Sequence, residues 1–212
     1  MTERLRIIYS HVGSGKVFAD VGCDHGYISK AVLDDNKFEK VIISDISSQS
    51  LQKAVELLKP YGNRVTPIVS DGFKNYTDIP DEAVIAGMGG EEIVKILSDG
   101  FMPKSLVLAP QKNTDKLRRF LVENGYNLVK DYTFYSQKKF YDLILAKKGE
   151  DFYLENEIEF GRDNLKDKPE GFILKLKKDV ELFEGIISNS DASTDAKQVA
   201  KAKLLKLKEL LK

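Results

Sequence analysis

The sequence has few of the residues that build metal centres and cross-linked scaffolds. Its 212 residues contain one cysteine and two histidines. One cysteine excludes a disulfide framework and a cysteine-rich zinc module, and two histidines argue against a histidine-built metal site. We therefore expect no bound metal.

Long apolar runs are also absent. No stretch approaches the roughly 18 uninterrupted apolar residues of a membrane span, and the N-terminus opens no apolar secretory segment. The expectation is a soluble, cytoplasmic protein.

No excess of one charge is present, since 33 Lys and Arg balance 33 Asp and Glu. This balance excludes a uniformly basic nucleic-acid binder, so any site for a polyanion must come from local charge. The chain is 42% hydrophobic and 31% charged, which is typical of a protein with a buried core. Its length allows one full domain and an appendage.

Short apolar segments alternate with amphipathic ones from the N-terminus to about residue 124. We predict helices over 2–12, near 26–34, after a cap at Ser47 or Ser48, after Gly90, and over 114–124, and strands over 17–21, 41–44, 64–69, 83–86 and 106–109. Residues 127–147 indicate a β-hairpin that turns near 137–139. The alternation favours an α/β protein with an open, mostly parallel sheet and a closing antiparallel hairpin.

The Rossmann-like fold of class I methyltransferases has this layout, with strand order 3-2-1-4-5-7-6. That order places the third strand at a sheet edge. Pro67 lies in this strand, and a proline is tolerated at an edge because it lacks a ladder donor.

The pattern changes after Gly149. Two helical segments follow, over 170–188 and after a polar loop at 188–194, and each carries an apolar stripe with coiled-coil-like spacing of three and four residues. We predict a methyltransferase-like domain over 1–150 and a C-terminal α-helical coiled-coil hairpin over 151–212. The pattern leaves open whether the hairpin grips RNA, dimerises or braces the sheet.

The end of the first predicted strand carries the candidate cofactor motif. Asp20, Gly22 and Gly26 form a D-x-G-x-x-x-G turn, in which the glycines let the backbone approach a ligand at a helix N-terminus. Asp24 occupies the place of the middle glycine of a dinucleotide fingerprint. A carboxylate there would repel a pyrophosphate but suits a ligand with an ammonium group and no phosphate. S-adenosyl-L-methionine (SAM) is such a ligand.

Further candidate residues follow at the ends of the next strands. Asp45 can accept the hydroxyls of a ribose, and Asp71 can meet an adenine amino group. The glycines from 87 to 90 allow close approach of a flat substrate or cofactor, or else form a tight turn with no ligand. The predicted cofactor-binding residues are Asp20, Gly22, Gly26, Asp45, Ile46, Asp71, Gly72, Ala86, Gly87 and Met88.

Four segments together resemble a known family. The runs are Ala19–Tyr27, Asp71-Gly72, Ala86–Gly90 and Leu108–Gln111, and they are similar to motifs of the bacterial tRNA (adenine-N1)-methyltransferase family TrmK. The C-terminal hairpin is also like that family, which carries a coiled-coil extension. The resemblance implies methylation of N1 of adenine 22 in tRNA, with SAM as donor.

The chain departs from the family pattern at three positions. Cys23 stands where Ser or Thr is expected, Gly26 where Ala is usual, and Gln111 where Asn is expected. We expect neither Cys23 nor Gly26 to change the chemistry, and Gln111 keeps the amide of Asn but lengthens its reach.

Five residues are candidates for the catalytic pocket: Asp24, His25, Tyr27, Met88 and Gln111. Tyr27 can stack on the adenine, or else pack under the helix as a first-turn residue. His25 can serve the pocket, or else cap or pack in the core. Asp24 is the obvious extra carboxylate, able to stabilise the positive charge that methylation leaves on the base or to take a proton.

Local clusters of basic residues are candidate contacts to tRNA phosphates, although a solvated helix face is the alternative for any one lysine. The candidates are Arg4, Arg6, Lys112, Lys116, Arg118, Arg119, Lys138, Lys139 and the last helix's Lys197, Lys201, Lys203, Lys206, Lys208 and Lys212.

We expect a monomer or weak dimer. The alternative functions are a small-molecule SAM methyltransferase and a non-catalytic RNA- or protein-binding module; an NAD dehydrogenase is disfavoured by the glycine spacing.

Overall fold

The computed structural model describes the whole chain, residues 1–212. Its centre is one seven-stranded sheet with the order β3-β2-β1-β4-β5-β7-β6. The strands are β1 (Gly15–Val21), β2 (Phe38–Asp45), β3 (Val65–Val69), β4 (Glu82–Ala86), β5 (Ser105–Ala109), β6 (Tyr126–Ser136) and β7 (Lys139–Lys148). β7 pairs antiparallel with β5 and β6, and every other pair is parallel. The predicted fold class and strand order are confirmed.

Nine α-helices accompany the sheet. They are α1 (Glu3–Tyr9), α2 (Tyr27–Asp34), α3 (Ser48–Leu58), α4 (Gly90–Ser98), α5 (Thr114–Glu123), α6 (Glu155–Phe160), α7 (Arg162–Asp167), α8 (Glu170–Ser188) and α9 (Thr194–Leu210), with a 3-10 segment over Lys59–Arg64. Side-chain caps fix three of the starts, because Thr2 accepts from the Leu5 N–H, Ser47 from the Ser50 N–H and Ser193 from the Ala196 N–H. None of the helices combines the length and apolarity needed to cross a membrane.

The core lies on both faces of the sheet because strand side chains alternate. Phe18 of β1 joins one apolar cluster with Ile8, Val32 and Leu58, from helices α1 to α3. The next residue, Ala19, joins the other cluster, which includes residues of α4 and α5. Full burial of one large apolar side chain stabilises the fold by about 1.5–3 kcal/mol. The two clusters therefore hold β1 and its loop from both sides.

β3 lies at the sheet edge, as its proline predicts. It pairs only with β2, where Pro67 lies opposite Ile43. The missing N–H of the proline thus leaves the rest of the sheet ladder intact.

Two short helices, α6 and α7, follow the sheet and have no counterpart in the sequence-based prediction. Tyr153 and Ile158 from this segment belong to the apolar core of the sheet. Asn164 of α7 accepts from the Thr133 N–H of β6 at 2.7 Å and donates to the Thr133 hydroxyl at 2.9 Å. The first residues after 150 therefore pack as part of the sheet domain. The division at residue 150 stays a prediction.

The helical hairpin of α8 and α9 has a small core of its own. Phe172, Leu176 and Leu207 are buried between the two helices. Lys208 also pairs with Glu184 across them at 2.7 Å. This apolar stripe accounts for the periodicity seen in the sequence.

A buried ion pair joins α5, β6 and α6. The Arg118 side chain is 2% exposed and donates to both carboxylate oxygens of Asp131, at 2.8 and 2.9 Å. It also donates to the carbonyls of Ile158 and Glu159. The prediction that Arg118 contacts tRNA phosphate is wrong, because its charge is neutralised inside the protein.

We expect Asp131→Ala to lower the free energy of unfolding by about 3–5 kcal/mol, because it leaves the Arg118 guanidinium buried without its partner. The double variant Arg118→Met/Asp131→Leu should recover much of this loss. Urea denaturation measures both. Arg119→Ala, which breaks the exposed pair with Glu155, is the control and should change little. A loss for Asp131→Ala no larger than that of the control would contradict the structural role of the pair.

Candidate functional site

A cavity of about 670 Å³ opens at the carboxyl ends of the central strands. It lies above β1, which pairs with β2 on one side and with β4 on the other. The connections that follow these neighbouring strands therefore lead toward opposite edges of the sheet. Open α/β sheets bind ligands at this switch point. Loops after β1 to β5, the start of α1 and the β6–β7 turn all contribute to its wall.

The structure brings nearly all the predicted site residues together. Those that line the cavity are Asp20, Gly22, Asp24, His25, Tyr27, Asp45, Ile46, Asp71, Gly72, Ala86, Gly87, Met88 and Gln111. They come from the ends of strands β1 to β5 and from the segments that follow them. Their convergence follows from the parallel order of the strands.

Gly26 does not line the cavity. It immediately precedes α2 as its N-cap, with φ at +69°, and a Cβ at this position would lie 2.9 Å from the Cβ of Ala54 in α3. Its observed role is therefore the close packing of α2 on α3. Its prediction as a direct cofactor contact finds no support in the geometry.

Asp20 is the buried carboxylate of the site. Its side chain accepts a hydrogen bond from the Ser29 hydroxyl at 2.7 Å, and the residue is 6% exposed. Burial raises the pKa of Asp20 to about 6, although the Ser29 hydrogen bond opposes the shift. A carboxylate held in this way favours a cationic ligand, because a nearby positive charge would restore its ionised form.

Asp45 is oriented by backbone donors at the end of β2. The N–H of Ser47 donates to one carboxylate oxygen at 2.8 Å, and the N–H of Asp24 donates to the other at 3.3 Å. Each oxygen keeps a further acceptor site. Two adjacent hydroxyls on one ligand are the natural partners for such a pair of oxygens.

Asp71 faces solvent at the end of the β3 loop. Lys74 donates to it, and this ion pair holds the pKa of Asp71 below its usual range. The carboxylate is thus ionised and available at the outer rim of the cavity.

The glycines after β4 pack against the loop after β5. Gly90 donates to the Lys112 carbonyl at 2.7 Å, and a Cβ on Gly90 would lie 2.1 Å from the Asn113 carbonyl oxygen. The Gln111 N–H also donates to the Met88 carbonyl at 2.9 Å. Gly90 therefore allows the start of α4 to pack closely on the loop after β5, while Gly87 and Met88 line the cavity.

Asp24, His25 and Tyr27 form an exposed cluster at the cavity mouth. The Nδ1 of His25 lies 2.7 Å from an Asp24 carboxylate oxygen, and the His25 ring stacks on Tyr27 with centroids 5.5 Å apart and planes 2° apart. Neither ring is part of the core, so the core-packing alternatives are wrong. Cys23 beside them is buried, and burial raises its thiol pKa, which disfavours a thiolate nucleophile.

Sequence reasoning did not assign several lining residues to this cavity. Leu5 of α1 and Tyr141 of β7 line it, together with Arg4 and Lys139, which were predicted only as tRNA contacts. The two residues of α1 lie more than a hundred residues from the two residues of β7 along the chain. No local motif signals them, because the contact forms only when α1 docks beside the β6–β7 turn.

Comparisons with known proteins agree with this geometry. A family model described as a methyltransferase domain matches residues 1–144. A Mycoplasma pneumoniae protein, provisionally named a tRNA methyltransferase, is 39% identical over 136 residues, and the match spans 62% of each chain. The tRNA (adenine(22)-N(1))-methyltransferase of Bacillus subtilis is 24% identical over 223 residues, 99% of this chain and 92% of its own.

A solved structure covers the complete chain. It is a Streptococcus pneumoniae protein, provisionally described as a tRNA (m1A22) methyltransferase and crystallised with SAM. It superposes with a TM-score of 0.90 at 25% identity over 100% of both chains. The sheet and the C-terminal helices are thus shared along the full length.

We expect Asp20→Asn to stabilise the protein at pH 8. The folded-state pKa of about 6 lies above the ordinary 3.8, so the contribution of Asp20 to stability is full below pH 4 and is lost as the pH rises through 6. Removing the ionisation should raise the free energy of unfolding at pH 8 by up to about 3 kcal/mol, and by less at pH 5.

Urea denaturation of parent and variant at both pH values measures this difference. Asp71→Asn, at the exposed rim of the same cavity, is the control and should show no such gain. A difference between Asp20→Asn and the parent that is independent of pH would contradict the burial of an ionisable carboxyl.

Proposed function

Since the chain belongs to the methyltransferase-domain family, we propose that it is the SAM-dependent enzyme that methylates N1 of adenine 22 in bacterial tRNA. The observation that supports this most is the cavity at the carboxyl ends of the strands, which the carboxylates of Asp20, Asp45 and Asp71 line together. The relatives named as tRNA adenine-22 methyltransferases provide the substrate class.

The residues of the cavity suit SAM better than a dinucleotide. Asp20, Asp45 and Asp71 all line the strand-end wall, and carboxylates would repel a pyrophosphate. The same groups suit a ligand with a ribose, an ammonium and a sulfonium. Asp45 would accept the ribose hydroxyls, and Asp20 would face the cationic amino-acid end.

Other lining residues would complete this half of the site. Ile46, 73% exposed beside Asp45, offers an apolar surface for the adenine ring of the donor. Asp71 and Gly72 would face its amino group, while Gly22 and the 86–88 segment would lie along its sulfur side. When bound, SAM supplies an electrophilic methyl group on a sulfonium.

The chain's task is then to orient the target base. The N1 lone pair forms the new bond to carbon, the sulfur keeps the electron pair of the broken bond, and the base gains a positive charge. We assign orientation and charge stabilisation to Asp24, His25, Tyr27, Met88 and Gln111. Asp24 lies at the cavity mouth, where its carboxylate would stabilise the positive charge of the methylated base. Alignment of the adenine N1 with the methyl group, together with exclusion of water, would provide the rest of the rate enhancement.

The RNA surface would use the basic residues that are not buried: Arg4, Arg6, Lys112, Lys116, Arg119, Lys138, Lys139, the lysines of α9 and Lys212. Some of these already face acids, since Lys116 pairs with Glu91 and Lys206 with Glu159. Exposed pairs of this kind exchange readily for a phosphate.

Transfer of labelled methyl from SAM to an unmodified tRNA transcript tests the function. We expect one methyl group per tRNA and no transfer when adenine 22 is replaced by guanine, whose N1 carries a proton. Transfer to metabolites but not to RNA would favour a small-molecule methyltransferase. Failure to bind SAM would favour a non-catalytic binding module.

We expect Asp45→Ala to weaken SAM binding by about 10- to 100-fold, because two charge-assisted hydrogen bonds to the ribose are lost. Isothermal titration calorimetry measures this change. Glu39→Ala is the matched control, since Glu39 is an exposed acid on the same strand and lies outside the cavity. Equal affinities for the two variants would contradict the role of Asp45.

A further inference from the structure

The charges that line the cavity are divided between two walls. Carboxylates of the strand ends, of the loops that follow them and of α4 form one part of the lining, the strand-end wall. A second wall, formed by α1 and the β6–β7 turn, carries the cations Arg4 and Lys139. Neither cation forms an ion pair with a carboxylate in the structure. This wall therefore has positive charge available for an anion.

Arg4 is held in place by an aromatic ring. Its guanidinium carbon lies 5.3 Å from the centroid of the Tyr141 ring. Tyr141 in turn stacks on the buried Phe134, with centroids 5.5 Å apart. A guanidinium fixed over a ring has lost part of its rotamer freedom before a ligand arrives, so less binding free energy is spent on ordering it.

The helix that carries Arg4 is fastened to the same hairpin. The Ser136 hydroxyl at the end of β6 donates to the Glu3 carboxylate at 2.7 Å. Ile8, one turn further along α1, is fully buried in the core. Arg4 and Lys139 are thus presented by two rigid elements that are bonded to each other.

The turn between β6 and β7 is strained. Gln137 and Lys138 both have left-handed backbone, with φ at +50° and +61°. Two-residue hairpins of this kind favour asparagine and glycine, and left-handed backbone costs other residues free energy. Strain of this kind clusters at binding sites, and here Gln137 and Lys139 line the cavity.

We propose that Arg4, positioned by Tyr141, and Lys139 form a docking site for the phosphodiester of the RNA nucleotide next to the target adenosine. The planar fork of arginine matches two phosphate oxygens. Anchoring this phosphate opposite the carboxylates would place the flipped base between the two walls. The inference rests on the proposed function and adds to it the site that positions the acceptor strand.

The test compares steady-state methylation of tRNA by the parent, Arg4→Ala, Arg4→Lys, Tyr141→Leu and Tyr141→Phe. We expect Arg4→Ala to raise the KM for tRNA about tenfold while the Kd for SAM stays at the parent value. Arg4→Lys should restore part of the affinity. Tyr141→Leu should raise the KM less than Arg4→Ala does, and Tyr141→Phe, which keeps the ring beside Arg4, should raise it less than Tyr141→Leu does.

Salt dependence separates a phosphate contact from a structural role. The slope of log KM against log salt should fall by about 0.7–0.9 in Arg4→Ala, the loss of one phosphate contact. Lys16→Ala is the control for loss of one positive charge, because Lys16 is exposed at the opposite end of β1. It should leave both the KM and the slope unchanged.

Two results would overturn the proposal while the parent still methylates tRNA. One is a KM and salt slope for Arg4→Ala and Arg4→Lys equal to those of Lys16→Ala. The other is weaker SAM binding with unchanged tRNA KM, which would assign Arg4 to the donor's carboxylate. If the parent binds SAM but does not methylate tRNA, the proposed function fails first and this inference fails with it.

Discussion

The parallel pairing of β1 with β2 on one side and β4 on the other is the constraint on which the site depends. The register aligns Val21 with Ser44 of β2 and with Ile85 of β4. Three strands therefore end at nearly the same level. The loops that follow have to turn above the sheet edge, and their side chains meet there whatever their separation in the chain.

The site contains groups that lower the free energy of unfolding, and other parts of the fold supply the stability. Asp20 is a carboxylate in a buried position, and Gln137 and Lys138 hold left-handed backbone. The apolar clusters on both sheet faces compensate, because they fix the elements from which the loops emerge. A rigid sheet thus supports a polar, partly strained rim, which is the usual division between scaffold and site.

The sequence predicts the sheet and the strand-end carboxylates well because both follow local rules. Apolar runs alternate with amphipathic helices, and Pro67 limits its strand to an edge. Asp20 and Asp45 are predictable since parallel strands of such a sheet end together.

The remaining features depend on contacts that no local pattern encodes. Arg118 lies among polar and basic residues in the sequence, as an arginine on the protein surface would. Only its ion pair with Asp131 of β6, 13 residues away, shows that it is buried. Gly26 fits a cofactor motif but packs α2 on α3. The docking of α1 beside the hairpin joins Arg4 to Tyr141 across most of the chain, so the second wall of the cavity is visible only in the folded protein.

A crystal structure of the protein with SAM bound tests the central claim most directly. We predict that both carboxylate oxygens of Asp45 accept from the ribose hydroxyls and that the methyl group points toward the wall formed by α1 and the β6–β7 turn. A donor bound elsewhere, or one bound in the cavity with its ribose away from Asp45, would contradict the account.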